Sequence, residues 1–293
     1  MKEKHHTSLI PWTLPLLVAG IFVGAGSGLW PAMAQPTAED AYRIGMTHYG
    51  KGQFQEALVS FDQFVELKPD FAVGYTNRGL VKYRIGDISG SIADYTRALE
   101  IEPNLAEAYT NRGGARMVQG DMSGALADHT KALELEPNFV SALSNRGLLR
   151  IQLGDLDGGL TDLDKALELN PFDPAAYANR AAAHLQRKDL EKAAMDASKA
   201  LVLNPKLPEA YVMRGRIYLE AKMFNESLKD FNKALELNPN LGTAYLNRGA
   251  VRVAQRNYQE GLRDLHKGVE LIPALEPEAR PWIQHAQANL DQK

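Results

Sequence analysis

Small and apolar residues recur at helical spacing along residues 38–275, in paired stripes that a short turn separates. In residues 72–105 the first stripe consists of Tyr75, Gly79 and Tyr83, which share one face of a helix because they lie four residues apart. Gly86–Asp87 interrupts the pattern, as a turn between helices does. A second stripe runs from Ile88 to Leu99. The pattern predicts a helix–turn–helix unit.

A proline closes each of these units. Prolines recur every 34 residues, at Pro69, Pro103, Pro137, Pro171, Pro205, Pro239 and Pro273. Proline has no amide hydrogen and disfavours helical geometry in the residue before it, so it ends the second helix. A fixed period of this length is typical of stacked repeats. We therefore predict seven units, at residues 38–71, 72–105, 106–139, 140–173, 174–207, 208–241 and 242–275.

Several positions within the unit keep one residue type. Position 8, counted from the first residue of each unit, is always small: Gly45, Gly79, Gly113, Gly147, Ala181, Gly215 and Gly249. Residues 108–113 read Ala-Tyr-Thr-Asn-Arg-Gly, and Gly120–Asp121 follows them. These columns resemble the tetratricopeptide repeat family, in the subclass with N-R-G, G-D and A-x-x-D motifs. The resemblance implies an all-α solenoid, a right-handed superhelix with a concave groove lined by the first helix of each unit.

Residues 276–293 fall outside the period. Their apolar stripe consists of Trp282, Ile283, Ala286 and Leu290, and Pro281 suits the first turn of a helix. Because the last unit of a stack exposes an apolar face, we predict a C-terminal capping helix. The alternative is a separate ligand-binding helix.

Position 6 carries asparagine in five units: Asn77, Asn111, Asn145, Asn179 and Asn247. Asparagine is a mediocre helix former, so its recurrence needs a reason. The resemblance to the tetratricopeptide repeat family implies that this position faces the groove. A carboxamide offers both a hydrogen-bond donor and an acceptor to a peptide backbone. The asparagine ladder is thus a candidate peptide-binding site. The alternative is that these side chains bond to neighbouring helices and stabilise the stack.

Arginine at position 7 and aspartate at position 23 occur together in units two to seven and are both absent from the first. The pairs are Arg78 and Asp94, Arg112 and Asp128, Arg146 and Asp162, Arg180 and Asp196, Arg214 and Asp230, and Arg248 and Asp264. An arginine fork on a partly buried carboxylate would fix helix pairing, so we predict a structural role. Position 11 adds Lys82, Arg116, Arg150 and Arg252, which either share these aspartates or form a basic stripe for an acidic partner.

The first 34 residues differ from the repeats. Lys2 and Lys4 precede an apolar segment that includes residues 9–30, and Ala32-Met33-Ala34 matches a cleavage site. We expect residues 1–34 to be an export signal, 35–37 to be a linker, and the protein to reach the periplasm, a lumen or the exterior. The alternative is an uncleaved membrane anchor through residues 9–30.

Composition and the absence of known motifs exclude several classes of function. The net charge is −3 and no cysteine is present, so nucleic acid as a partner, disulfides and thiolate metal sites are disfavoured. The histidines form no spaced ligand cluster, and phosphate-binding loops and nucleophile elbows are missing from the sequence. We expect no metal, cofactor, small-molecule substrate or catalytic residue.

The sequence therefore favours a non-enzymatic scaffold that binds a protein or peptide segment. A terminal-carboxylate clamp of the co-chaperone kind is disfavoured, because position 5 contains no lysine and position 9 no asparagine. A membrane-anchored assembly factor or holdase for membrane-protein complexes is the alternative. Partner, process and oligomeric state do not follow from the sequence.

Overall fold

The computed structural model describes residues 37–291, which contain α-helices, one short 3-10 helix at Pro273–Leu275 and no strand. The predictions for residues 1–34 and for linker residues 35 and 36 lie outside the described residues. The helices are α1 (Ala38–Gly50), α2 (Phe54–Leu67), α3 (Ala72–Arg84), α4 (Ile88–Ile101), α5 (Ala106–Gln119), α6 (Met122–Leu135), α7 (Val140–Gln152), α8 (Leu156–Leu169), α9 (Pro174–Gln186), α10 (Leu190–Leu203), α11 (Pro208–Glu220), α12 (Phe224–Leu237), α13 (Gly242–Ala254), α14 (Tyr258–Leu271) and α15 (Glu276–Leu290).

These helices form tandem helix–turn–helix repeats, as the period predicts. The two helices of a unit pack on each other, and the second packs on the first helix of the next unit. The first helices of successive units also contact each other: α9 contacts α11, and α11 contacts α13. The all-α solenoid class is confirmed.

Close packing within a unit depends on the small residue at position 8. In unit six, a Cβ added to Gly215 would lie 2.6 Å from the Phe231 ring. Phe231 is fully buried and belongs to position 24, whose other members are also buried: Phe61, Tyr95, His129, Leu163, Ala197 and Leu265. The position 8 glycine therefore lets the ring of the second helix reach the backbone of the first.

The turn inside each unit contains one residue in the left-handed conformation, at position 15. In units one to four this residue is glycine: Gly52, Gly86, Gly120 and Gly154. Units five to seven place Lys188, Lys222 and Arg256 there, with φ of 61°, 60° and 62°. Glycine adopts this conformation without cost, whereas residues with a Cβ do not.

Helix α15 covers the end of the stack. It packs against α13 and α14 and buries Ala279 and Ala286 beside Leu246, Val253 and Leu265.

Two sequence-based details of α15 are wrong. The helix begins at Glu276, so Pro281 lies inside it rather than in its first turn. Trp282 is 36% exposed and lies outside the buried cluster that Ala279 and Ala286 join; it lines a surface cavity instead. Among residues 37–291, no helix is both long and apolar enough to cross a bilayer.

Candidate peptide-binding groove

The five asparagines of the ladder lie on the first helices of their units and are all half-buried. Two of them use their carboxamides within the stack. Asn77 Nδ2 donates to the Val73 carbonyl at 3.0 Å and to the Tyr42 hydroxyl at 3.3 Å, and Asn247 Nδ2 donates to the Thr243 carbonyl at 2.7 Å.

The three central asparagines differ. The side chains of Asn111, Asn145 and Asn179 form no hydrogen bond with any other residue between 37 and 291. They belong to three consecutive units, on α5, α7 and α9. Three carboxamides in a row thus retain their donors and acceptors for a ligand.

The C-terminal end of the ladder borders a cavity of about 410 Å³ between α9, α11, α13 and α15. Leu185, Leu219 and Leu246 provide apolar lining, and Asn247 and Trp282 provide polar and aromatic groups. A second cavity of about 380 Å³ adjoins it and shares Arg216, Leu246, Asn247 and Glu278. Helix α15 therefore lines the groove as well as covering the core.

The position 7 arginines and position 23 aspartates are brought together in all six units. Each arginine donates to its aspartate through Nε and Nη2; in unit three, Arg112 bonds Asp128 at 2.9 and 2.8 Å. The corresponding bonds join Arg78 to Asp94, Arg146 to Asp162, Arg180 to Asp196, Arg214 to Asp230 and Arg248 to Asp264. The six aspartates are only 3–7% exposed. In unit five the hydrogen bond to Asp196 raises the pKa of Arg180.

Position 11 completes these clusters. Each of its four basic side chains contacts Oδ2 of the aspartate in its own unit. Lys82 Nζ lies 2.8 Å from Asp94, and the Nη1 atoms of Arg116, Arg150 and Arg252 lie 2.7, 2.8 and 2.8 Å from Asp128, Asp162 and Asp264. The basic side chains of this column therefore contact the same buried carboxylates, which supports a structural role for them over a stripe that binds an acidic partner.

The sequence alone did not predict two further kinds of contact that the position 7 arginines make. The free Nη1 of four arginines donates to position 25 of the preceding unit: Asp62, Thr96, Asp164 and Asn232. Five arginines also lie over the tyrosine three residues earlier, with Cζ 5.3–5.8 Å from the ring centroid. Two features of the sequence could have predicted these contacts: a polar residue 16 positions before each arginine, and the tyrosine that recurs three positions before it. Arg78, Arg112, Arg180 and Arg248 thus link two units as well as two helices.

The part of the chain between residues 37 and 291 contains no group of three histidine, aspartate or glutamate side chains placed to hold a metal ion.

Comparison with known proteins identifies the repeat. Family models described as tetratricopeptide repeat or TPR repeat match residues 41–71, 79–120, 144–210 and 208–241. No curated protein matches the sequence.

Solved structures share the fold at low identity. The APC/C hetero-tetramer Cut9-Hcn1 contains a chain with a TM-score of 0.75 and 18% identity; the match covers 83% of this chain and 48% of that one, so this chain spans about half of its length. A tetratricopeptide repeat protein from Parabacteroides merdae has a TM-score of 0.68 and 21% identity, with 85% and 98% covered. The Pseudomonas aeruginosa pilF structure has a TM-score of 0.60 and 17% identity, with 69% and 92% covered.

Proposed function

The chain belongs to the tetratricopeptide repeat family, and we propose that it is a non-catalytic scaffold that binds an extended polypeptide segment of a partner protein in its groove. The observation that supports this most directly is the row of three half-buried carboxamides without intramolecular partners, Asn111, Asn145 and Asn179. These carboxamide atoms remain accessible to solvent, because the buried side-chain polar atoms without a partner in residues 37–291 belong to His129 and Ser144. A ligand can therefore displace water from the row and use its donors and acceptors without breaking bonds within the protein.

A peptide backbone is the ligand that this row suits. Each carboxamide donates one hydrogen bond and accepts another, as a backbone amide requires. The cavity at the C-terminal end adds apolar lining through Leu185, Leu219 and Leu246, which takes side chains without strict selection. The proposed ligand is therefore an extended segment recognised mainly through its main chain.

The test replaces Asn111, Asn145 and Asn179 with alanine together. Peptides selected from a displayed random library on the unmodified protein serve as probes, and fluorescence anisotropy measures their affinity. We expect Kd to rise at least about tenfold, because three lost hydrogen bonds at roughly 0.5–1.5 kcal/mol each remove about 1.5 kcal/mol or more of binding free energy.

The matched control replaces Asn104, Asn138 and Asn240, three exposed asparagines in the turns between units, and should leave Kd unchanged. Circular dichroism and the melting temperature check that both variants fold. An unaltered Kd in the ladder variant would show that the asparagines serve only the stack.

An exported location is a second part of the proposal. It is supported by the charge and apolar pattern of residues 1–34. Mass spectrometry of the protein from its native host should find Gln35 at the amino terminus. An intact terminus in the membrane fraction would favour the anchored assembly factor or holdase instead.

A further inference from the structure

The turn inside each unit changes its chemistry halfway along the stack. Positions 15 and 16 read Gly–Asp in units two to four, at residues 86–87, 120–121 and 154–155. They read Lys–Asp, Lys–Met and Arg–Asn in units five to seven, at residues 188–189, 222–223 and 256–257. The formal charge of this pair thus changes from −1 to 0 and then to +1 along one edge of the solenoid.

This change works against local stability in two independent ways. Lys188, Lys222 and Arg256 adopt the left-handed conformation that glycine occupies without strain in the earlier units. In addition, Asp87, Asp121 and Asp155 accept a backbone N–H at the start of the second helix, at 2.9 Å each. Met223 and Asn257, at the same position, accept none. Asp189 in unit five still accepts the Lys192 amide at 3.2 Å, so the feature that all three units share is the cation in the left-handed turn. Strained backbone residues that a fold retains are concentrated at functional sites.

The basic edge meets the groove at Lys188, and Lys222 and Arg256 occupy the same turn position in the next two units. Lys188 lines the 410 Å³ cavity together with Arg216, Asn247 and Trp282. Arg216 is the one charged residue at position 9 and is exposed, whereas that position is apolar or small in the other units. Glu220 and Glu278 also line the cavity.

In residues 37–291 the side chains of Lys188, Arg216, Lys222 and Arg256 do not lie within 4.0 Å of a carboxylate. The arginines of position 7 and the lysine and arginines of position 11 all do. Lys188, Arg216, Lys222 and Arg256 thus keep their charge available to a ligand.

We propose that this basic edge, formed by Lys188, Lys222 and Arg256 with Arg216, binds acidic side chains of the polypeptide segment in the groove. The inference rests on the proposed function and specifies the partner: its segment over units five to seven carries aspartate or glutamate. The first helices of successive units contact each other, and helices in contact lie about 8–10 Å apart, which sets the spacing from one unit to the next. An extended polyproline-II-like chain advances about 9 Å in three residues. Acidic residues three positions apart therefore match one cation per unit.

The experiment compares three proteins on the same displayed random-peptide library. The first is the unmodified chain. The second carries Lys188→Gly, Lys222→Gly and Arg256→Gly, which removes the edge charge and suits the left-handed turn. The third carries Lys199→Gln, Lys229→Gln and Arg263→Gln, which removes the same charge from exposed positions of α10, α12 and α14.

We expect peptides selected on the unmodified and control proteins to be enriched in aspartate and glutamate at three-residue spacing, and those selected on the glycine variant not to be. For one selected acidic peptide, changing its acids to amides should raise Kd about tenfold on the unmodified protein, since three exposed ion pairs are lost. The same change should alter Kd less than twofold on the glycine variant.

Equal acidic enrichment on the unmodified protein and the glycine variant would overturn the inference, and so would peptides without acidic preference. Both results leave groove binding intact. If no peptide is enriched on any of the three proteins, the proposed function fails, and this inference fails with it. The glycine variant should also melt at a higher temperature, because glycine adopts the left-handed conformation without strain; a lower melting temperature would contradict strain at these turns.

Discussion

His129 occupies a core position that Phe61, Tyr95 and Phe231 fill in other units. Its ring is fully buried against Gly113, and neither ring nitrogen has a hydrogen-bond partner among the described residues. Burial lowers the pKa of His129 to about 4. The ring is therefore neutral in the folded protein at physiological pH and fills the site as an aromatic side chain does.

This pKa predicts an acid-dependent loss of stability. The unfolded state takes up a proton near pH 6.5, whereas folded His129 does so only near pH 4. The contribution of neutral His129 to the free energy of unfolding is therefore complete above pH 6.5 and is lost progressively as the pH falls to 4. Compared with His129→Phe, the unmodified protein should lose about 2–3 kcal/mol more of its free energy of unfolding between pH 7 and pH 4. Urea unfolding at both pH values measures the difference.

Other groups that titrate in this range, such as His184, are present in both proteins and cancel. Parallel stability curves for the two proteins would mean that His129 does not titrate in this way. The sequence identifies His129 as the exception in its column, but its missing partners are visible only in the folded packing, because burial is a property of neighbours on other helices.

At the scale of helices, the buried aspartate joins the two helices of a unit. Asp128 accepts hydrogen bonds from Arg112 on α5 and also from Arg116, one turn later. Its side chain is 4% exposed, and the two arginine side chains are 13% and 25% exposed. Removal of the carboxylate would leave two partly buried cations unpaired, which costs more than the pair itself contributes.

We predict that Asp128→Ala lowers the free energy of unfolding by about 3 kcal/mol. Denaturant unfolding at neutral pH measures it. The control is Glu134→Ala, which breaks an exposed pair with Lys131 on the same helix and should leave the midpoint nearly unchanged. Equal midpoints for Asp128→Ala and the unmodified protein would contradict the clamp role.

The sequence predicts the clamp because arginine and aspartate are both absent from the first unit. It does not predict the bonds from Arg78 to Asp62 or from Arg180 to Asp164, because a bond between units depends on how one unit is rotated on the next.

At the scale of the whole molecule, each unit is stabilised by its neighbours, so the ends of the stack need separate cover. Helix α15 provides it at the C-terminal end through Ala279, Ile283 and Ala286. The same helix places Trp282 and Glu278 in the groove cavity. The prediction of a capping helix therefore describes its packing, and lining the groove is an additional role.

Truncation after Leu275 should lower the melting temperature by several degrees, since it exposes Leu246, Val253 and Leu265 to water. Hydrogen exchange should show lost protection in α13 and α14, with α3 to α6 little affected, because coupling in a solenoid acts mainly between neighbours. Truncation after Leu290 is the control and should change neither. An unaltered melting temperature after the larger truncation would argue against the cap.

The sequence by itself determined the repeat, its length, where the second helix of each unit ends and the arginine–aspartate pairs. These follow from local rules: proline and glycine end helices, and a 34-residue period repeats the same contacts in every unit. Only the tertiary structure decided which carboxamides stay without partners, that Trp282 and Lys188 line the groove cavity, and that Lys188, Lys222 and Arg256 adopt the left-handed conformation. Those properties depend on the packing of several units together, and no single unit contains that information.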